Sequence, residues 1–261
     1  MGPASRRLNV RCLGAGAQTI VLGHGFGTDQ TAWRHIAEWL STRYRVVLFD
    51  LACSGAVDPD LFDLRRYRKL DGYADDLRLI LSELGIERCL YLGHSVSGMV
   101  GLLAAWREPE RFARMIMLGA SPRYLNETGY SGGFEAGDVE GIFDAISANY
   151  RDWAGQFAPH VVGPDLGAVQ EFSAGLLAMR PDVALCAAIT IFQSDLRERL
   201  RGFPVPVLIL QARDDPAVPM SVAEYMHREL PDSILDVIDA TGHLPHLSAP
   251  TETIQVLERH L

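Results

Sequence analysis

The stretch that most restricts this chain is Cys89 to Trp106, eighteen residues without Asp, Glu, Lys or Arg. Its length alone admits a membrane-spanning helix, which needs about 20 apolar residues. Gly93-His94-Ser95-Val96-Ser97-Gly98, in its middle, decides against that reading. An apolar run, Cys89–Leu92, precedes these residues, and a helical pattern from about Val96 to Trp106 follows them. Small residues on both sides of Ser95 permit a sharp strand-to-helix turn. Such a turn lifts a serine Oγ above the sheet and aims helix N-terminal N–H groups at a developing oxyanion. Ser97 stands where G-x-S-x-G has its second glycine; serine is small, and Gly98 follows. Alone, the motif also suits a plain Gly/Ser turn, so its partners have to decide.

The rest of the chain supplies a sheet for that turn. Thr19–Leu22, Arg45–Phe49, Met115–Leu118, Val207–Gln211 and Ile234–Ile238 join Cys89–Leu92 as six short apolar runs of strand type. Helical periodicity separates them at Thr31–Leu40 and Asp71–Leu84, with Gly85 as a stop. Alternation of this kind predicts a mostly parallel sheet flanked by helices. It breaks between about Gly132 and Leu196, where helical patterns at Asp138–Tyr150, Leu166–Leu177 and Asp182–Phe192 follow one another, with Pro159, Pro164 and Pro181 as joints. Residues 152–180 carry only Asp152, Asp165, Glu171 and Arg180 as charges, against 22% of the whole chain. So apolar an insertion needs two covered faces, one on the core and one around a ligand. The expected division is an α/β core over 1–131 and 197–261, with a helical cap over 132–196. At 261 residues, about 75% of the unfolded surface can be buried, so no disulfide or metal staple is required.

Two late loops offer partners for Ser95 in the order Ser, acid, His. Ala212-Arg213-Asp214-Asp215-Pro216 follows one strand, and Asp239-Ala240-Thr241-Gly242-His243 follows the next. His243 is placed to take the Ser95 proton, and an Asp to hold the histidine tautomer and steady the imidazolium. Asp214 and Asp215 compete for that place. The oxyanion donors expected are the N–H groups of Val96 and of Phe26, the latter in His24-Gly25-Phe26-Gly27. Neither G-x-G-x-x-G nor a P-loop occurs there, so no cofactor is expected. His243 and His246 lack a third ligand at a familiar spacing, so no metal is expected either. Net charge is −9, which argues against nucleic-acid and anionic-membrane partners. The N-terminus has no targeting pattern, and four scattered cysteines read as reduced thiols. A cytoplasmic protein is expected.

At this point a resemblance emerges, carried by HGFGTDQTAW (24–33), YRVVLFDL (44–51), GHSVSGMVG (93–101) and GASPRYLN (119–126). It continues through GGFE (132–135), NYRDWAGQFAP (149–159), RPDVAL (180–185), IFQSDLR (191–197) and GHLPHLSAP (242–250). The chain resembles the α/β-hydrolase group of the bacterial stress regulator RsbQ and the plant strigolactone and karrikin receptors. That resemblance implies an α/β-hydrolase fold whose four-helix, V-shaped cap covers a hydrophobic pocket. It puts the acid on Asp215, through the pattern Q-x-x-x-D-x-x-V-P, and places Phe26, His94, Val96, Tyr124, Phe134, Ile142, Trp153, Phe157, Phe192 and Ala217 around the pocket. Two features depart from the group's plant branch or from its common residues. Asp214 stands where basic or neutral residues are usual, and Glu229-Leu230-Pro231-Asp232-Ser233 lacks a Gly-Gly insertion typical of the plant receptors.

Two functions follow as expectations. One is a serine hydrolase for a small hydrophobic ester, lactone or butenolide. The other, which the resemblance favours, is a slow hydrolase coupled to signalling, with a phosphatase or F-box protein as partner and a nuclear as well as cytoplasmic location if plant-type. An ordinary carboxylesterase, or a cofactor-free perhydrolase, is the alternative.

Overall fold

The computed structural model describes residues 2–261. Among these, seven strands form one sheet: β1 (Arg11–Leu13), β2 (Thr19–Gly23), β3 (Arg45–Phe49), β4 (Cys89–His94), β5 (Phe112–Leu118), β6 (Val207–Asp214) and β7 (Ser233–Thr241). Their order is β1-β3-β2-β4-β5-β6-β7, with β1 antiparallel to β3 and every other pair parallel. All positions of β2 and β4 are buried, as strands covered on both faces require. All six strands read from sequence are present, several longer by a few residues. The strand missed is β1, three exposed residues on the sheet edge with no apolar run to mark them.

In chain order the helices are α1 (Pro3–Arg7), α2 (Arg34–Ser41), α3 (Leu64–Tyr67), α4 (Leu70–Glu83), α5 (Val96–Arg107) and α6 (Ala136–Val162). Then come α7 (Leu166–Ala178), α8 (Pro181–Phe192), α9 (Met220–Glu229), α10 (Pro245–Ser248) and α11 (Pro250–Glu258). Strand alternation sorts the core into two layers. Ile20, Leu22, Leu90 and Leu92 pack with Ile36 and Leu40 of α2 and Val256 and Leu257 of α11. Val21, Tyr91 and Met115 face the other way, into the cluster that includes Leu77 and Ile80 of α4 and Val100 of α5. The uncharged stretch from Cys89 to Trp106 thus divides into β4 and α5. No single helix among the described residues is long and apolar enough to cross a membrane.

Helices α6, α7 and α8 lie between β5 and β6, neighbouring strands of the sheet. Asn149, at φ −155° and ψ 90°, breaks α6 into two segments, giving four helical segments in all. Here one sequence reading needs correction. Pro159 does not mark a joint; it lies inside the second segment, which runs on to Val162. A proline removes one hydrogen bond to the carbonyl four residues back, and only one further turn has to tolerate the loss. The real joint, Asn149, bonds Asp152 with its side chain (2.6 Å) and starts the new segment. Pro181 does open a helix, and Pro164 does sit between two.

Candidate active site

Ser95 is the pivot between β4 and α5, and its backbone has φ 53° and ψ −124°, outside the regions an L-residue prefers. The main chain holds it there: Ser95 N–H donates to the Leu118 carbonyl on the adjacent strand (2.8 Å). Gly93 must lack a side chain, because a Cβ would fall 2.6 Å from the Gly98 nitrogen. Ser97, in place of the usual glycine, has a use: its hydroxyl donates to the His24 carbonyl (2.5 Å). That bond ties the start of α5 to the loop beside it.

Strands β6 and β7 bring the other two groups to Ser95. His243 Nε2 is 2.9 Å from Ser95 Oγ, and His243 Nδ1 is 2.8 Å from Asp215 Oδ2. Asp215 Oδ1 accepts the N–H groups of Ala217 (2.8 Å) and Val218 (2.9 Å), and Oδ2 also accepts from Gln211 Nε2 (3.1 Å). Such donors fix the carboxylate in direction. Asp214 is exposed, and Arg213 bonds Asp239 instead (2.8 Å), so geometry separates the two aspartates. The His243 main chain is gripped from two sides. Its carbonyl is 2.8 Å from His94 Nε2, and its N–H donates to the Val161 carbonyl at the end of α6 (2.8 Å). Burial, with His246 and His243 nearby, holds the His94 pKa well below the usual histidine value. Neutral His94 therefore donates its Nε2–H to that carbonyl.

The loop His24–Thr28 runs alongside the serine. A side-chain carbon at Gly25 would lie 3.3 Å from Ser95 Cβ, which puts the main chain of Gly25 and Phe26 against the nucleophile. Thr28 Oγ1 donates to the Gly25 carbonyl (2.9 Å), and the Leu51 N–H donates to His24 Nε2 (2.9 Å). Tyr124 Oη stands 3.4 Å from Ser95 Oγ. Burial pushes its phenol up to about 12, so it stays protonated.

A cavity of about 40 Å³ opens above Ser95 and His243, lined mainly by carbon. Of the residues expected around it, Phe26, His94, Tyr124, Phe134, Phe157, Phe192 and Ala217 line it. Trp153 and Ile142 do not. Trp153 stacks on Phe157 (4.8 Å between ring centroids) and stands against Phe26 (6.4 Å), one layer behind the wall. Ile142 is half-buried on the first segment of α6, packed against the hydrophobic core. Val96 is buried and does not line the cavity. Val161, Phe172, Ile191 and Leu244 line the cavity and were missed; as apolar residues on cap helices and a loop, they look like any core position. Gln211 was missed as a partner of Asp215, although it sits four residues before it. A larger hollow, about 390 Å³ beside Asn9, Gln30 and Asp50, has no histidine among its lining residues. Its one serine, Ser5, is engaged by Glu83 (2.6 Å).

A serine on a strained strand-to-helix turn, bonded through histidine to a buried aspartate at the C-terminal ends of parallel strands, defines a hydrolase class. Residues 20–256 match the Alpha/beta hydrolase family, and the chain belongs to that family. It is 49% identical to strigolactone esterase D14 of Arabidopsis thaliana, over 97% of this chain and 96% of that one. It is also 49% identical to Karrikin insensitive 2 receptor IA of Petunia hybrida, over 100% and 96%. A solved hydrolase from Oleispira antarctica superimposes with a TM-score of 0.95 at 33% identity, over 98% of this chain and 95% of that one. The protein is an α/β-hydrolase.

Proposed function

We propose that the protein is a slow serine esterase or lactonase for a small hydrophobic ligand of butenolide type, with hydrolysis coupled to signalling. One observation carries the reading: a small apolar cavity whose floor is the hydrogen-bonded series Ser95–His243–Asp215. Ser95 Oγ attacks the ligand carbonyl carbon and passes its proton to His243 Nε2. The carbonyl oxygen becomes an oxyanion, held by the N–H groups of Phe26 and Val96. The C–O bond to the leaving group breaks as His243 returns the proton to it, leaving an acyl-serine. Water, deprotonated by His243, then releases the acid and restores the hydroxyl. Asp215 keeps the histidine in the required tautomer throughout.

Residues 132–196 act as a cap on the core formed by 1–131 and 197–261. A cavity of about 40 Å³ has room for about three water molecules, so a butenolide ring enters only when the cap helices move outward. That coupling of occupancy to cap position supports a receptor over an ordinary esterase, as does the receptor name of the Petunia hybrida relative at 49% identity. A protein partner, of F-box or phosphatase type, then reads the cap. A reducing, cytoplasmic setting goes with this proposal, extended to the nucleus for a plant-type protein; Cys53 and Cys89 are buried with thiols pushed up to about 12.

The expected result is slow hydrolysis of a fluorogenic butenolide by the wild-type protein, reduced at least about 1,000-fold in Ser95→Ala. Mass spectrometry should find the acyl group on Ser95 or His243. Equal turnover by Ser95→Ala would remove Ser95 from the reaction. Fast repeated turnover with no ligand-dependent capture of an F-box protein or phosphatase would favour the ordinary esterase.

A further inference from the structure

Helix α7 lies against the loop that carries Phe26, and the approach is backbone to backbone. A Cβ built on Gly175 would fall 2.3 Å from the Gly27 carbonyl oxygen and 3.5 Å from Thr28 Cα. From the other side, a Cβ on Gly27, whose φ is +77°, would meet Leu176 at 2.6 Å and Phe172 at 2.8 Å. Phe172, Gly175 and Leu176 are spaced i, i+3, i+4 and form one face of α7. Only glycine permits so close an approach on both sides. The contact is continued outward by Arg34 Nη1 and Glu171 Oε1 (2.6 Å) and inward by Phe26 against Trp153 (6.4 Å). Helix α7 is in turn held to α6, since Tyr150 Oη donates to the Leu176 carbonyl (2.5 Å).

The two ends of the loop are anchored differently. His24 is bonded to the core through Ser97 Oγ and the Leu51 N–H, and Thr28 Oγ1 bonds back to the Gly25 carbonyl within the loop. Phe26 and Gly27 project beyond that base into the cap. We infer that α7, through Gly175, is the element that positions the oxyanion-binding N–H of Phe26, so the cap sets the hydrolytic rate as well as admitting the ligand. This rests on the proposed role of the Phe26 N–H. When α7 lifts, Gly27 loses its support and the donor turns away from the carbonyl oxygen. Gly175 is thus a positioning residue: it touches neither substrate nor Ser95.

The test measures kcat and KM of the full-length protein with p-nitrophenyl acetate, and inhibition by phenylboronic acid. The tetrahedral adduct of that acid on Ser95 puts oxygen where the oxyanion forms. Gly175→Ala is expected to lower kcat about tenfold or more, to weaken boronic-acid binding to a similar degree, and to leave KM within about twofold. Gly155→Ala, also in the cap, adds a carbon that meets nothing within 4 Å and should keep wild-type kcat. Glu171→Lys opposes Arg34 at the surface and should lower kcat about threefold, with recovery in Arg34→Glu/Glu171→Lys. Wild-type kcat in Gly175→Ala, or an equal loss in Gly155→Ala, overturns the proposal. If Gly175→Ala does not fold, the charge pair decides: no loss in Glu171→Lys, or no recovery in the double variant, overturns it. Ser95→Ala separates the two readings. If it stays active, the hydrolase reading falls and takes this one with it. If it is inactive while Gly175→Ala matches wild type, only the role of Gly175 falls.

Discussion

At Ser95 a stretched backbone and a useful hydroxyl occupy the same residue. A non-glycine residue at φ 53°, ψ −124° stores about 1–3 kcal/mol, which the surrounding sheet and helix must overcome. Glycine accepts that conformation without strain but gives the unfolded chain about 0.5–1 kcal/mol more entropy to lose. Ser95→Gly should therefore be more stable than Ser95→Ala by about 1 kcal/mol, or roughly 2–4 °C in Tm at this size. Both variants lack the bond to His243, so the comparison isolates the backbone. Calorimetry of the pair checks it, and an Ala variant that melts at or above the Gly variant would show the turn to be unstrained. The choice of Asp215 over Asp214 is also made at this scale. Adjacent residues on a turn point apart, but which one points inward depends on where β7 places His243. Residue spacing along the chain does not contain that information; the family pattern supplied it.

Among the elements, those legible from sequence are the ones whose burial leaves a periodic trace. Strands β2 through β6 are apolar runs because they lie inside the sheet and are mostly buried. The edge strand β7 keeps a short apolar run although only Ile238 is buried in it, and α2 and α4 carry apolar residues at helical spacing because one side faces the sheet. Strand β1 has no such trace, being three exposed residues on an edge. Residues 132–196 were legible as charge-poor and helical, but the second half of α6 was hidden. Gly155 and Pro159 are signals that normally end a helix, and packing overrides them: Ala154, Ala158, Val161 and Val162 are all buried. The true break, at the exposed Asn149, lies one residue before the end of the helical pattern read at Asp138–Tyr150, so the sequence marked the first segment but not the second. The same limit applies to the site. Ser95, His243 and the loop beside the serine each sit at the end of a strand, a position that sequence reveals. The lining residues Val161, Phe172 and Ile191 were not readable, because nothing local distinguishes a cavity wall from a core.

For the molecule as a whole, the histidines beneath the site set its response to acid. His24, His94 and His246 are buried, and burial lowers the pKa of each, His246 to about 3. His246 is sandwiched by Trp33 (4.3 Å) and His94 (4.4 Å), with no hydrogen-bond partner for either ring nitrogen among the described residues. The unfolded chain protonates these side chains below about pH 6.5, whereas the folded one does not. Stability is therefore complete above that value and falls as pH drops below it; for His246 the fall continues toward pH 3, by about 1.4 kcal/mol per pH unit. Urea unfolding from pH 6.5 to 4 should show this slope, and His246→Leu should flatten it by one histidine's share. An unchanged slope in that variant would mean that His246 is already charged in the folded protein.

The small cavity has a kinetic consequence. If the site is shut for most of the time, a ligand that collides with the protein usually finds no entrance, and its apparent affinity is reduced by the fraction of open molecules. The observed association rate then rises with ligand concentration only until it reaches the opening frequency of the protein itself. Stopped-flow fluorescence of Trp153, stacked on Phe157, should show that plateau, at one value shared by chemically different ligands. A rate that climbs linearly without limit would mean that the entrance stands open. With arrival set by the protein, ligands are told apart by how long they stay and how readily they react.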